Sequence, residues 1–297
     1  MATIGFIGLG HMGHPMVVNL LKHQHQVKIF DAVPAAIEAL TAKGAIGTAS
    51  AIAAAEDCQV VFTMLQTGEQ VMQTCLGENG IFTHLKPNSM YIDCSSIDIQ
   101  TTQYLHQQAA HHHIAMLDAP VSGGVKGAEQ ATLTLMVGGD KAHFTKAEPL
   151  LLQLGKLAIH AGKPGCGAAA KICNNMILGI SMIAVSEGFI LAEKLGLNAK
   201  NFFDIASHAS GECWAMTHYC PVPNVMEGVP ANNDYKPGFT AAMMLKDLLL
   251  SQAAAEQVNL KTCMGSKAKE LYQQFVDQGA AQVDFSGIIQ LLSSCSK

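Results

Sequence analysis

Short, unbroken apolar runs punctuate the first half of the chain, at 3–8 (TIGFIG), 27–30, 60–65, 90–94, 115–118 and 133–137. Runs of this length without polar alternation read as strands covered on both faces, the habit of a parallel sheet. Stretches of helical periodicity lie between them, among them 15–22, 35–43 and 101–110. Strands alternating with helices predict an α/β domain built on a doubly wound, mostly parallel sheet. The pattern changes at GKPGCG (162–167). Residues 168–195 form one long helical run with few charges, 201–206 and 239–257 read as further helices, and the Pro/Gly-rich stretch 221–238 reads as a loop. The expectation is a sheet domain over 1–161 and an all-α domain over 162–297, whose first helix is nearly surrounded by protein.

Composition agrees with two cores. The chain has 297 residues, 49% hydrophobic and only 14% charged, with mean hydropathy +0.23. That is about twice the usual domain length and far too little charge for a disordered chain. So few charges also predict that a second copy covers part of the surface, giving a homodimer or homotetramer. A net charge of −5 without any dense basic cluster argues against a nucleic-acid partner, since phosphates call for a basic stripe. The most apolar segment, 176–186, falls short of the roughly 18 residues a membrane span needs and is followed by Glu187, so no membrane partner is expected. Nine cysteines, among them Cys58, Cys94, Cys173 and Cys295, make no C-x-x-C pair, which predicts reduced, mostly buried thiols. His111, His112 and His113 would point in different directions at a helix end and have no acidic or thiol partner nearby. They read as a surface patch, and no metal is expected. The first strand begins two residues after Met1, which reads as a cytoplasmic chain, or a mitochondrial one if a presequence has been removed.

The first apolar run leads straight into Gly8-Leu9-Gly10-His11-Met12-Gly13 and then a helix. A G-x-G-x-x-G match alone is weak. Placed between strand and helix, with Asp31 ending the second strand about 20 residues on, it is the dinucleotide-binding signature of a Rossmann sheet. Gly8 permits the tight turn, Gly10 lets the diphosphate approach the backbone, and Gly13 lets the helix pack on the strand. The diphosphate then meets unpaired N–H groups at a helix N-terminus. Asp31 would accept from the ribose hydroxyls and repel a 2′-phosphate, and no Arg follows it, so NAD is favoured over NADP. Ligands of such sheets bind where strands end, which marks the residues after Met64 and Asp93.

In the second half, Lys171 stands between Ala170 and Ile172 in an otherwise apolar helix, with Asn175 one turn on and on the same face. A desolvated lysine beside a neutral donor suits deprotonation of an alcohol during hydride transfer. A lysine reaching solvent from the first turns of a helix fits the residues equally well.

Four segments together resemble the β-hydroxyacid dehydrogenase family: GFIGLGHMGHPMVVNL (5–20), DAPVSGG (118–124), GCGAAAKICNNM (165–176) and LKDL (245–248). They span essentially the whole chain in the family's order. The resemblance implies that Lys171 is the catalytic lysine and Asn175 a substrate-binding residue. It implies that Ser122, Gly123 and Gly124 hold the substrate carboxylate through a hydroxyl and backbone N–H groups. Leu65, Gln66, Gln70 and Ser96 match positions touching the cofactor, and Lys246 matches one near the nicotinamide. Gln66 stands where proline is usual, and Ser96 where threonine is usual. CWAMTHYCPVPNVMEGVPANNDY (213–235) and AKICNNMILGISMIAVSE (170–187) resemble the branch acting on 3-hydroxyisobutyrate. The alternatives are a tartronate or succinate semialdehyde reductase of the same family and a non-catalytic, cofactor-sensing scaffold. Asp31 opposes the reductases, which often carry Arg-Thr there, and the retained Lys171 opposes the scaffold.

Overall fold

The structure, a computed structural model, describes residues 1–294; Cys295 lies outside them. It divides into two compact units, Met1–Lys171 and Ile172–Lys297. In the first, strands β1 (Thr3–Ile7), β2 (Gln26–Phe30) and β3 (Ile46–Gly47) alternate with α1 (Gly13–Lys22), α2 (Pro34–Thr41) and α3 (Ala51–Ala55). The strands β4 (Val60–Thr63), β5 (Met90–Asp93) and β6 (Ala115–Asp118) follow, separated by α4 (Gly68–Leu76) and α5 (Ile99–His111). The unit is completed by β7 (Val121–Ser122), α6 (Gly124–Glu129), β8 (Leu133–Gly139), α7 (Lys141–Leu151) and β9 (Gly155–Gly162). The sheet runs β3-β2-β1-β4-β5-β6-β8-β7, with β9 on β8. From β3 to β6 all neighbours are parallel, while β8 is antiparallel to β6 and β7. Chain direction across the sheet reverses between β1 and β4, the switch point where such sheets bind ligands.

The unbroken apolarity of the strands follows from burial on both faces. Ile4, Phe6, Ile29, Phe62 and Ile92 join one core, with the Phe6 and Phe62 rings stacked 5.7 Å apart, and Ile7, Val61 and Tyr91 join another. The strands read from sequence are all present. β3, β7 and β9 escape that reading, two because they are two residues long. The third is an edge strand whose Leu157 and Ile159 point outward beside Lys156 and His160, so its pattern is not that of a covered strand.

The second unit is helical: most of α8 (Cys166–Lys194), then α9 (Ala199–Ala206), α10 (Trp214–Thr217), α11 (Ala241–Gln257), α12 (Cys263–Phe275) and α13 (Ile288–Ser294). Met182, Phe189, Met244, Leu248, Tyr272, Phe285 and Ile288 make its core. The division between units falls inside α8 rather than at Gly162, because the first turn of that helix packs with the sheet. Two expectations about α8 are corrected. It is not nearly surrounded within the chain, since Ile177 is 62% and Leu191 59% exposed. By length and composition it also reaches the size of a membrane span, with mean hydropathy 1.7 over 18 residues. The sequence reading stopped at Glu187, yet a window of that length tolerates one charge at its edge. Met182, Ile183, Val185 and Phe189 nonetheless sit in the protein core. Of the eight described cysteines, four are buried and Cys173 and Cys263 are exposed, so burial is less general than expected.

Candidate active site

Apart from Lys246, which stands on α11 in the second unit, the cofactor-side residues named from sequence follow the carboxyl ends of strands in one sheet. After β1, Gly8 has φ +95°, and a Cβ there would lie 2.3 Å from the Met64 carbonyl oxygen. A Cβ on Gly13 would come within 2.0 Å of Gly8 O, whereas one on Gly10 meets nothing within 4 Å. The middle glycine therefore faces open space, and the outer two shape the turn. The helix α1 starts with no side-chain cap and no acidic residue in its first turn. Open backbone and uncapped N–H groups fit the diphosphate of a dinucleotide.

Asp31, at the end of β2, accepts from Leu9 N (2.6 Å) through Oδ2 and from Val33 N (2.8 Å) through Oδ1. It therefore anchors the glycine loop. After β4, Leu65 N donates to Ser95 Oγ at 2.9 Å, so the hydroxyl that ties this loop to β5 belongs to Ser95, the neighbour of Ser96. Ser95 N in turn donates to Asp93 Oδ1, as does Thr63 Oγ1. Burial pushes the Asp93 carboxyl up to about 6, against the pull of these hydrogen bonds. Gln66 N donates to Gln70 Oε1 at 3.0 Å. A proline at 66 would have no N–H to give, so the departure from the family's usual residue adds a bond that closes this loop onto α4.

Ser122 ends β7, half-buried, and exposed Gly123 and Gly124 follow with φ +135° and +64°. A Cβ on Gly124 meets nothing within 4 Å, which leaves its backbone open to a ligand. Lys171 is half-buried on α8 and is the last residue of the first unit.

In the second unit, Asn175 is 2% exposed and its Nδ2 donates to Asp247 Oδ2 at 2.5 Å, while its Oδ1 accepts from Asn174 Nδ2 at 3.0 Å. Lys246 Nζ is 3.3 Å from Asp247 Oδ1, an ion pair not aligned as a hydrogen bond. Sequence reasoning took Lys246 from LKDL and missed Asp247. Its signal was a carboxylate directly before a leucine run in a helical stretch, a place where a charge needs partners; the structure buries both Asp247 and Leu248. Among the described residues no group of three or more His, Cys, Asp or Glu side chains lies together as metal ligands would.

The NAD binding domain of 6-phosphogluconate dehydrogenase matches residues 3–165, and the NAD-binding domain of NADP-dependent 3-hydroxyisobutyrate dehydrogenase matches residues 165–292. A probable 3-hydroxyisobutyrate dehydrogenase of Mycobacterium bovis is 44% identical over 292 residues, 98% of each chain. The NAD-dependent L-serine dehydrogenase of Pseudomonas aeruginosa is 43% identical over 98% of each chain. The solved structure of the Mycobacterium tuberculosis 3-hydroxyisobutyrate dehydrogenase with L-serine superposes with a TM-score of 0.92 at 43% identity, covering 98% of this chain and 99% of that one. Sheet, loop and matched domains together define an NAD-dependent hydroxyacid dehydrogenase. More narrowly, the chain belongs to the 3-hydroxyisobutyrate dehydrogenase family of β-hydroxyacid dehydrogenases.

Proposed function

We propose that the chain oxidises 3-hydroxyisobutyrate to methylmalonate semialdehyde, a step of valine breakdown, with NAD as acceptor and in a homodimer or homotetramer. The observation that carries this reading is full-length similarity to 3-hydroxyisobutyrate dehydrogenases in a chain that keeps Ser122-Gly123-Gly124, Lys171 and Asn175. The substrate carboxylate docks on Ser122 Oγ and the Gly123 and Gly124 amides. The substrate hydroxyl hydrogen-bonds Lys171 Nζ and the Asn175 amide. Bound NAD would supply the hydride acceptor, and Lys246 would be among the residues that hold it. Lys171 takes the hydroxyl proton as the hydride leaves the same carbon, and returns it in the reverse reaction.

The preference for NAD rests on Asp31. A 2′-phosphate about 4 Å from that carboxylate would be repelled by about 4 kcal/mol before screening. The chain also contains no arginine anywhere, so no guanidinium offers a fork to the phosphate. The matched second domain takes its description from an NADP-dependent enzyme; Asp31 argues the other way for this chain.

A second reading is favoured by the L-serine dehydrogenase among the relatives. Serine and 3-hydroxyisobutyrate differ only in an ammonium against a methyl on the carbon bearing the carboxylate. A site built for the methyl leaves an ammonium unsolvated, and one built for the ammonium leaves acceptors unpaired. Measuring kcat/KM for both acids with NAD and NADP separates the readings. The proposal predicts 3-hydroxyisobutyrate with NAD as the best pair, and a preference for serine overturns the substrate assignment. Lys171→Ala is expected to lose at least about 100-fold in kcat, and Lys171→Arg as much because guanidinium stays protonated. Near-normal turnover in either variant removes Lys171 from the acid/base role.

A further inference from the structure

Asp118 ends β6 and is 2% exposed. A carboxylate buried so deeply is costly unless its lone pairs are met. His106 Nε2 at 2.8 Å and Gly165 N at 3.0 Å donate to Oδ1, and Ala168 N at 2.9 Å donates to Oδ2. Two of the three donors are backbone amides at the start of α8, where unpaired N–H groups and the helix dipole favour an anion. Two glycines make the room. A Cβ on Gly138 would stand 2.5 Å from Asp118 Oδ2 and 2.6 Å from Gly167 N. One on Gly167 would stand 2.3 Å from Met136 O and 2.4 Å from Asp118 O. The first turn of α8 is thus pressed onto the backbones of β6 and β8 at a distance that no side chain permits.

Lys171 follows Ala168 within one turn of the same helix and belongs to the same compact unit as the glycine loop. We propose that Asp118, held in aim by His106, is a positioning residue for proton transfer, pinning the first turn of α8 to the sheet and so setting where the Lys171 amine stands. The inference rests on the reading of Lys171 as the acid/base group. The chemistry of the pair explains why a carboxylate is needed. An asparagine at 118 keeps one acceptor oxygen and turns the other into a donor, so it cannot accept from both His106 and the Ala168 amide. Displacing a reacting group by about 1 Å costs on the order of 100-fold in rate.

The test is Asp118→Asn made in the wild-type chain and in the Lys171→Ala chain, with kcat, the KM for NAD and the melting temperature measured for each. The expected result in the wild-type chain is a loss of about 10–100-fold in kcat, with the KM for NAD moving less than about twofold, since the glycine loop is untouched. In the Lys171→Ala chain, where there is no amine left to position, the same substitution is expected to cost less than about threefold. His106→Leu is expected to show the same signature more weakly, and His106→Gln, which retains a donor of similar reach, to recover most of that loss. The His106 pair decides the matter if Asp118→Asn does not fold. Wild-type kcat in Asp118→Asn, an equal loss in both backgrounds, or a KM for NAD that rises as kcat falls would each overturn the positioning role. Full turnover in Lys171→Ala alone would instead remove the acid/base reading beneath it.

Discussion

Of the two roles proposed for the Asp31 carboxylate, one is visible in its hydrogen bonds. Its oxygens accept from Leu9 N and Val33 N, and each oxygen has a second lone pair to offer the ribose. Asp31→Ala is therefore expected to loosen the glycine loop as well as the sugar contact. Loss of hydrogen bonds to a charged group, about 1.5–3 kcal/mol, corresponds to roughly 10–150-fold in kcat/KM for NAD. Values for NADP should fall much less, because the repulsion disappears with the carboxylate. Steady-state kinetics with both cofactors checks this, and an unchanged NAD/NADP ratio in the variant removes Asp31 from cofactor choice. Ser122→Ala is expected to raise the KM for the hydroxy acid by a comparable factor while leaving the KM for NAD near its normal value. An unaltered KM for the acid places the carboxylate elsewhere. With no arginine in the chain, no guanidinium fork is available to that carboxylate.

At the scale of elements, the parallel strands β4 and β5 are joined at their carboxyl ends by a buried polar chain. The Tyr91 hydroxyl lies 2.6 Å from Thr63 Oγ1, and Thr63 and Ser95 both donate to Asp93. Burial lifts the Asp93 carboxyl from 3.8 to about 6 in the folded protein. Between these values the folded state binds more protons than the unfolded one, so stability falls as pH rises from about 4 to 6 and is level above. A shift of about two pKa units corresponds to roughly 3 kcal/mol. Asp93→Asn keeps an oxygen for Thr63 and Ser95 without the charge. Its melting temperature relative to wild type is expected to be higher at pH 7.5 than at pH 4.5. A pH-independent difference would show that Asp93 does not titrate between those limits. The strands themselves were legible in the sequence because continuous apolar runs leave few alternatives. The edge strand β9 was not, since one of its sides has no neighbour and its polar residues break the run.

For the whole molecule, mass action links binding to stability. NAD at 100 times its Kd should stabilise the folded chain by about 2.7 kcal/mol, read as a rise in melting temperature that NADP at equal concentration does not match. Equal shifts from both cofactors would count against the proposed preference. We further expect light scattering to give the mass of two or four chains of 31.4 kDa. The helical unit leaves Ile177, Leu191, Leu195, Ile205, Val258 and Met264 more than half exposed, apolar side chains that a second copy would cover. A monomer at micromolar concentration would overturn the homo-oligomer.

Local chemistry was determined by the sequence alone. The tight turn at Gly8 and the close packing at Gly13 are short-range demands on backbone freedom, and such demands are legible without coordinates. Only the tertiary structure decided which partners the polar side chains have. Asp118 lies 47 residues before Gly165 and 50 before Ala168; Asn175 lies 72 before Asp247. No periodicity encodes such separations. They exist because folding buries a carboxylate, and a buried carboxylate is stable only where the chain returns to it with N–H donors.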